Sequence, residues 1–197
     1  MEKLARIMLA TGGAAAVTVA FAVVANETFV LDKPHSAVGF TVPIAGGLSH
    51  MRGRFNGFRA QIKYRPNDLT HSSVKATIDV ATLDTGVPGR DKHTLGAAGF
   101  DAAKYPQILF ASKRIEKSGQ GFNAIGDLTM RGVKKEVVIP FHQTGTRTLG
   151  EGMSLIGFEG KLRLDRRDYG LRWEMPGDAR WVGDLVDIDF SVLARPQ

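Results

Sequence analysis

The chain has 197 residues, 43% of them hydrophobic and 23% charged, which is enough to bury a core as one domain. It has no cysteine, which excludes disulfides and a lipid-modified N-terminal cysteine, so the domain must stand on its core alone. The net charge is +6 and the pI about 9.7, yet the basic residues are scattered singly and no DNA- or RNA-binding motif is present. That balance fits a solvated basic surface or attraction to anionic head groups and phosphates, and argues against nucleic acid.

Lys3 and Arg6 precede an uncharged apolar run, Ile7–Val24, that ends in small residues. A basic start, an apolar middle and a small-residue exit predict a secretory signal peptide over residues 1–25, with cleavage after Ala25 or Ala22. The protein is therefore expected to be exported, periplasmic or secreted, with one domain over residues 26–197. An uncleaved membrane anchor is the competing reading, since the run has roughly the ~18 residues at which spanning becomes possible.

From Asn26 onward the sequence is a series of short alternating runs. Thr28–Asp32 is broken by Lys33-Pro34, and Val38, Phe40 and Val42 then share a face. Gly46-Gly47 turns the chain into Gly53–Tyr64, where Phe58, Ala60, Ile62 and Tyr64 are in phase. Val74, Ala76, Ile78 and Val80 alternate with Lys75, Thr77 and Asp79 in the run that ends at Asp84. Each pattern is that of a half-buried antiparallel strand.

Arg90–Phe110 interrupts the series. Asp91 is placed to cap a short helix over Lys92–Ala98, Gly99 to end it, and Pro106 to stop any further turn. One polar, helix-prone excursion in an all-β pattern predicts a lid over one end of a barrel or sandwich. Leu95 and Phe100 would face the interior from that lid, Arg90 or His93 would meet a polar head group at its mouth, and Gly96-Ala97-Ala98-Gly99 would supply hinges. Asp91 and Arg90 could equally serve only to fix the crossover.

After the lid, Ile108 and Phe110 share a face, and Phe122, Ala124, Gly126, Leu128 and Met130 alternate. Val137, Ile139 and Phe141 follow, then Ile156, Phe158, Gly160, Leu162 and Leu164. Arg166–Gly183 is a long loop, and Val186, Ile188, Phe190 and Val192 end the series. Eight or nine strands with a turn every ten or so residues predict a closed barrel or sandwich. The inward sets mix bulky Phe40, Phe110, Phe158 and Phe190 with small Ala60, Ala76, Ala124, Gly126 and Gly160. Such a mixture is compatible with an interdigitated, filled core or with an apolar tunnel.

Chemistry-bearing patterns are sparse. The five histidines (35, 50, 71, 93 and 142) are dispersed, so no metal site is expected. No G-x-S-x-G elbow supplies a nucleophile, and Gly126–Lys135 lacks the phosphate-loop spacing, so no catalytic residue or cofactor is assigned. Asp165-Arg166-Arg167-Asp168 reads as a solvated corner with internal ion pairs, or as a basic site for an anionic lipid. Trp173 and Trp181 are placed to pack across a barrel end.

Five runs resemble the YceI-like family in its order. They are Leu31–Phe40, Arg52–Phe58, Arg90–His93 with Phe100-Asp101 and Tyr105–Phe110, Gly126–Lys135, and Leu164–Leu171. Two positions depart from the family pattern: Ile44 stands where a His is usual, and Thr94 stands where Leu usually follows the lid His. The resemblance implies an eight-stranded antiparallel, lipocalin-like β-barrel with a short helical lid between central strands. It further implies an exported, non-enzymatic carrier holding a polyisoprenoid, an isoprenoid quinone or a fatty-acid derivative. The ligand-contacting set would be Phe40, Ala76, Ile78, Leu95, Phe100, Phe110, Ile139, Phe158 and Phe190. An enzyme acting on lipid-linked substrates, or a filled barrel serving as an envelope stress or interaction module, are the alternatives. A homodimer and a transient contact with a membrane surface are left open.

Overall fold

The computed structural model describes residues 27–150, 153–172, 174, 177–178 and 181–197. The signal-peptide reading and both cleavage positions concern residues outside that set, as does the role expected of Trp173.

Among the described residues, eleven strands form one antiparallel sheet that closes on itself as an eight-stranded up-and-down barrel. The count drops from eleven to eight because the first three staves of the barrel are each broken once. β1 (Glu27–Leu31) and β2 (Ala37–Ile44) make the first, β3 (Ser49–Phe55) and β4 (Phe58–Tyr64) the second, and β5 (Ser73–Asp79) and β6 (Leu83–Asp84) the third. β7 (Gln107–Ser118), β8 (Gly121–Met130), β9 (Val133–Thr148), β10 (Ser154–Asp165) and β11 (Leu185–Pro196) follow unbroken. β11 closes the ring by pairing with β1 through Ala194–Pro196 and with β2 through Asp187–Ser191.

The first two breaks have local causes. Pro34 has no amide hydrogen to give a ladder, and Lys33–His35 turns as a 3-10 helix. In the second stave the Asn56 amide donates to the Thr82 carbonyl at 3.0 Å and the Gly57 amide to the Thr82 hydroxyl at 2.7 Å. A Cβ on Gly57 would sit 2.6 Å from Thr82 Cγ2, so only glycine lets these backbones approach. The reading of Gly53–Tyr64 as one strand therefore needs this correction: its alternation continues across a kink.

The period-2 pattern sorts the faces as expected. Along β4, Phe58, Ile62 and Tyr64 are buried while Arg59, Gln61 and Lys63 are exposed. The buried groups gather at two poles. One cluster holds Phe29, Ile62, Tyr64, Ile156, Phe158 and Ala194, with Phe29 and Tyr64 edge to face at 5.4 Å. The other lies under the lid and includes Phe55, Val80, Leu83, Tyr169, Leu171 and Val182.

The lid begins with α1 (Pro88–Leu95), which starts four residues earlier than expected. Pro88 takes the first helical position, where its missing amide hydrogen is harmless. Asp91 does not cap α1. Its carboxylate instead accepts from the Thr85 amide at 3.0 Å and from the Thr85 hydroxyl, tying the helix back to the end of β6. Among the described residues no helix is long and apolar enough to cross a membrane.

Candidate functional site: an apolar cavity inside the barrel

The interior is hollow. A cavity of about 300 Å³ runs between the two poles, with walls that are almost entirely carbon. That volume lies at the low end of ligand pockets, roughly 300–1,000 Å³.

Eight of the nine expected contact residues line it: Phe40, Ala76, Ile78, Phe100, Phe110, Ile139, Phe158 and Phe190. Leu95 does not. It packs against the lid-side core, while Thr94, Gly99 and Phe100 carry the lid's share of the wall. The helix ends at Leu95, and that side chain packs against the lid-side cluster rather than lining the lumen.

The space does not come from every small residue that the sequence offered. Gly160 sits under the Phe190 ring, its cross-strand partner, and a Cβ there would also meet the Pro140 carbonyl at 2.6 Å. Gly126 faces the Ala111 backbone, where β7 bulges against β8. Neither glycine lines the cavity. Phe40 likewise lies over Gly53 on β3. Glycine opposite phenylalanine lets the rings lie along the wall instead of crossing the lumen. The alanines differ from these glycines: Ala60, Ala76 and Ala124 all line the cavity.

The polar lid residues have structural partners. Arg90 donates from Nε to the Thr85 hydroxyl and from Nη2 to the Thr85 carbonyl, both at 2.8 Å. His93 is exposed on α1, and neither residue lines the cavity, so the structure brings neither head-group candidate to it. The Gly96–Gly99 run is held along its length. Arg131 Nη2 donates to the Ala97 carbonyl at 2.7 Å and the Arg172 amide to the Ala98 carbonyl at 3.0 Å. Gly99 packs so closely on the Thr94 carbonyl that no Cβ would fit. The expected hinge is a tied loop.

Arg166 was read as part of a solvated corner, and it is buried, 6% exposed, at the lid end of the cavity wall. Its Nε donates to the Gly183 carbonyl (3.0 Å), Nη1 to Leu171 (2.8 Å) and Nη2 to Val182 (3.1 Å), with Asp184 at 3.0 Å. Desolvation lowers its pKa below the usual arginine value; Asp184 opposes that shift and the neighbouring Arg167 adds to it. Arg167 points outward to Asp184 and Glu174. The signal for this was present: Ile156, Phe158, Gly160, Leu162 and Leu164 set a phase in which residue 166 falls inside. Beneath the lid, burial raises the pKa of the Tyr169 phenol, with the Asp168 charge adding to it. Trp181 is partly buried against the same cluster, and its carbonyl accepts from the Ala45 amide at 2.7 Å. Ile44 bridges to Val182 at the rim and does not line the cavity. Among the described residues no group of three or more His, Asp or Glu is arranged to hold a metal ion.

A closed antiparallel barrel with a hollow, carbon-walled interior belongs to the class of β-barrels whose size lets them enclose one small ligand. The chain is a member of the YceI-like family, whose domain matches residues 29–194. A UPF0312 protein of Vibrio cholerae is 34% identical over 170 residues, covering 85% of this chain and 89% of that protein. Among solved structures, BcnA of Burkholderia cenocepacia superposes with a TM-score of 0.74 at 28% identity, covering 83% of this chain and 98% of that one. The YCEI protein of Campylobacter jejuni gives 0.66 at 26% identity, over 76% and 87% of the two chains. A domain from Saccharophagus degradans described as polyisoprenoid-binding shares the fold, with a TM-score of 0.61 at 14% identity over 86% and 98%.

Proposed function

We propose that this protein is an exported carrier that holds a long apolar molecule, a polyisoprenoid, isoprenoid quinone or fatty-acid derivative, inside the barrel and performs no chemistry on it. The observation that carries this reading is the apolar cavity itself. A filled interior would gain dispersion contacts that this one forgoes. Each methylene of a guest chain that enters gains roughly 0.8 kcal/mol, so a few isoprene units offset a large share of the entropic cost of binding. Family membership and the described ligand class of the S. degradans domain support the ligand type. The basic, apolar and small-residue order of residues 1–25 supports export.

The test is to purify the protein from its exported fraction, extract it and weigh what is released. A hydrophobic molecule of defined mass should co-purify, and the protein's own mass should correspond to loss of residues 1–22 or 1–25. Ala76→Phe fills the wall between Ala60 and Phe110 and should lower the occupancy at least about tenfold, while overpacking costs about 1–3 kcal/mol. A reproducibly empty protein that also fails to bind farnesol, isoprenoid quinones or fatty acids would end the carrier reading.

A further inference from the structure

The barrel wall is interrupted at mid-height. The ladder between the first two staves stops at Val30↔Gln61 and resumes only at Gly39↔Arg54, so residues 31–38 and 55–60 do not pair with each other. The other borders of this region hold. The Asp32 amide donates to the Leu193 carbonyl at 2.8 Å, and the Ser36 hydroxyl and Leu193 amide bond at 3.0 Å, so the Lys33–His35 turn stays fastened to β11. The second stave stays fastened to the third through Phe58↔Ile78, Arg59↔Thr77 and Thr82. The gap therefore opens between the β1–β2 turn and the β3–β4 kink alone.

On the outside an open groove of about 510 Å³ lies over this gap. Leu31, Phe58, Arg59, Ala60 and Thr77 line both that groove and the interior cavity, which places the two spaces on either side of this stretch of wall. Three cations rim the groove: Lys33, Arg59 and Lys75, all exposed. Lys33 and Lys75 have no ion pair among the described residues, and Arg59 meets Asp79 at 3.3 Å. Asp32, the nearest carboxylate in sequence to Lys33, is taken by His35 at 2.9 Å. Both poles, by contrast, are plugged by packed side chains.

Resting on the carrier reading above, we infer that the gap between the β1–β2 turn and the β3–β4 kink is a side portal. An anionic head group, phosphate or carboxylate, is held there by Lys33, Arg59 and Lys75 while its apolar tail lies in the cavity. This moves the head group from the lid, where Arg90 is spent on Thr85, to the flank.

Titrations with matched probes test it: farnesyl diphosphate against farnesol, and hexadecanoate against hexadecanol. The anionic member of at least one pair should bind about tenfold more tightly than its alcohol, with an advantage that shrinks as salt rises. The triple variant Lys33→Gln/Arg59→Gln/Lys75→Gln should erase that advantage. Loss for the diphosphate alone identifies a phosphate site, and loss for the carboxylate alone a fatty-acid site; either supports the portal. An advantage that survives the triple variant, or is absent from both pairs, overturns it. So does equal loss in the charge-matched control Lys92→Gln/Lys104→Gln/Lys117→Gln, which removes three cations elsewhere. If neither alcohol binds the wild-type protein, it is the carrier reading that falls.

Discussion

The lid end and the flank close the same cavity by opposite means. At the lid end the closure is polar and redundant: Arg166 serves three carbonyls, Arg131 reaches both the Ala97 and Gly170 carbonyls, and Thr85 anchors Arg90 and Asp91. At the flank the closure is carbon and glycine, with rings laid on neighbouring strands and one stretch of ladder left open. A buried guanidinium that donates to three carbonyls resists opening, because any of these groups left buried without its partner is costly. A wall of apolar contacts with an unpaired stretch has no such penalty. The difference teaches that a lid is not the door merely because it is a helix over an end. In this barrel the more firmly bonded closure is the lid.

Three perturbations break or sharpen that contrast. The largest effect is expected from Arg166→Leu, which leaves the carbonyls of Leu171, Val182 and Gly183 without their donor; denaturant unfolding should show a loss of about 3 kcal/mol. A change within a few tenths would mean that the lid end is held by packing alone. Next comes Arg131→Ala, which frees the lid loop from the Arg166–Tyr169 turn at Gly170. Amide exchange across Gly96–Phe100 should quicken about tenfold, with about 1–2 kcal/mol lost overall. Unchanged exchange there would make the Arg172–Ala98 bond and the Phe55–Phe100 contact sufficient on their own. The smallest is Gly53→Ala in the barrel wall beside the flank. Its Cβ would displace the Phe40 ring, whose Cε1 lies 2.8 Å from that position, into the lumen. Stability should fall by no more than about 1 kcal/mol because the cavity receives the ring, while farnesol binding weakens several-fold. A large stability loss with unaltered binding would show that the ring has nowhere to go and that the wall is stiffer than the lid.

Much of this was legible in the chain. Period-2 alternation identified the strands and the inward face of each, down to Phe40, Ala76, Ile78 and Phe190, because one buried face of a barrel imposes that pattern on every stave. The lid was visible as a helix-prone break between alternating runs. Its start was misplaced because Asp91, a common N-cap residue, bonds back to Thr85 from inside a helix that Pro88 opens. Leu95 and the two glycines misled for a related reason. A small residue signals room, yet Gly126 and Gly160 are small because a neighbouring backbone or ring already occupies the space. Arg166 was missed because charge outweighed phase, although its position in the β10 alternation pointed inward.

The sequence by itself determined the class of fold, the lumen-facing set and the family, since these follow from local periodicity and from runs of residues kept in order. The tertiary structure decided whether the lumen was hollow, which closure is bonded and where the wall is open. Each of those depends on pairings between residues far apart in the chain. Val30 meets Gln61 but Leu31 meets no ladder partner on β4, and nothing in the local pattern of either strand encodes that difference.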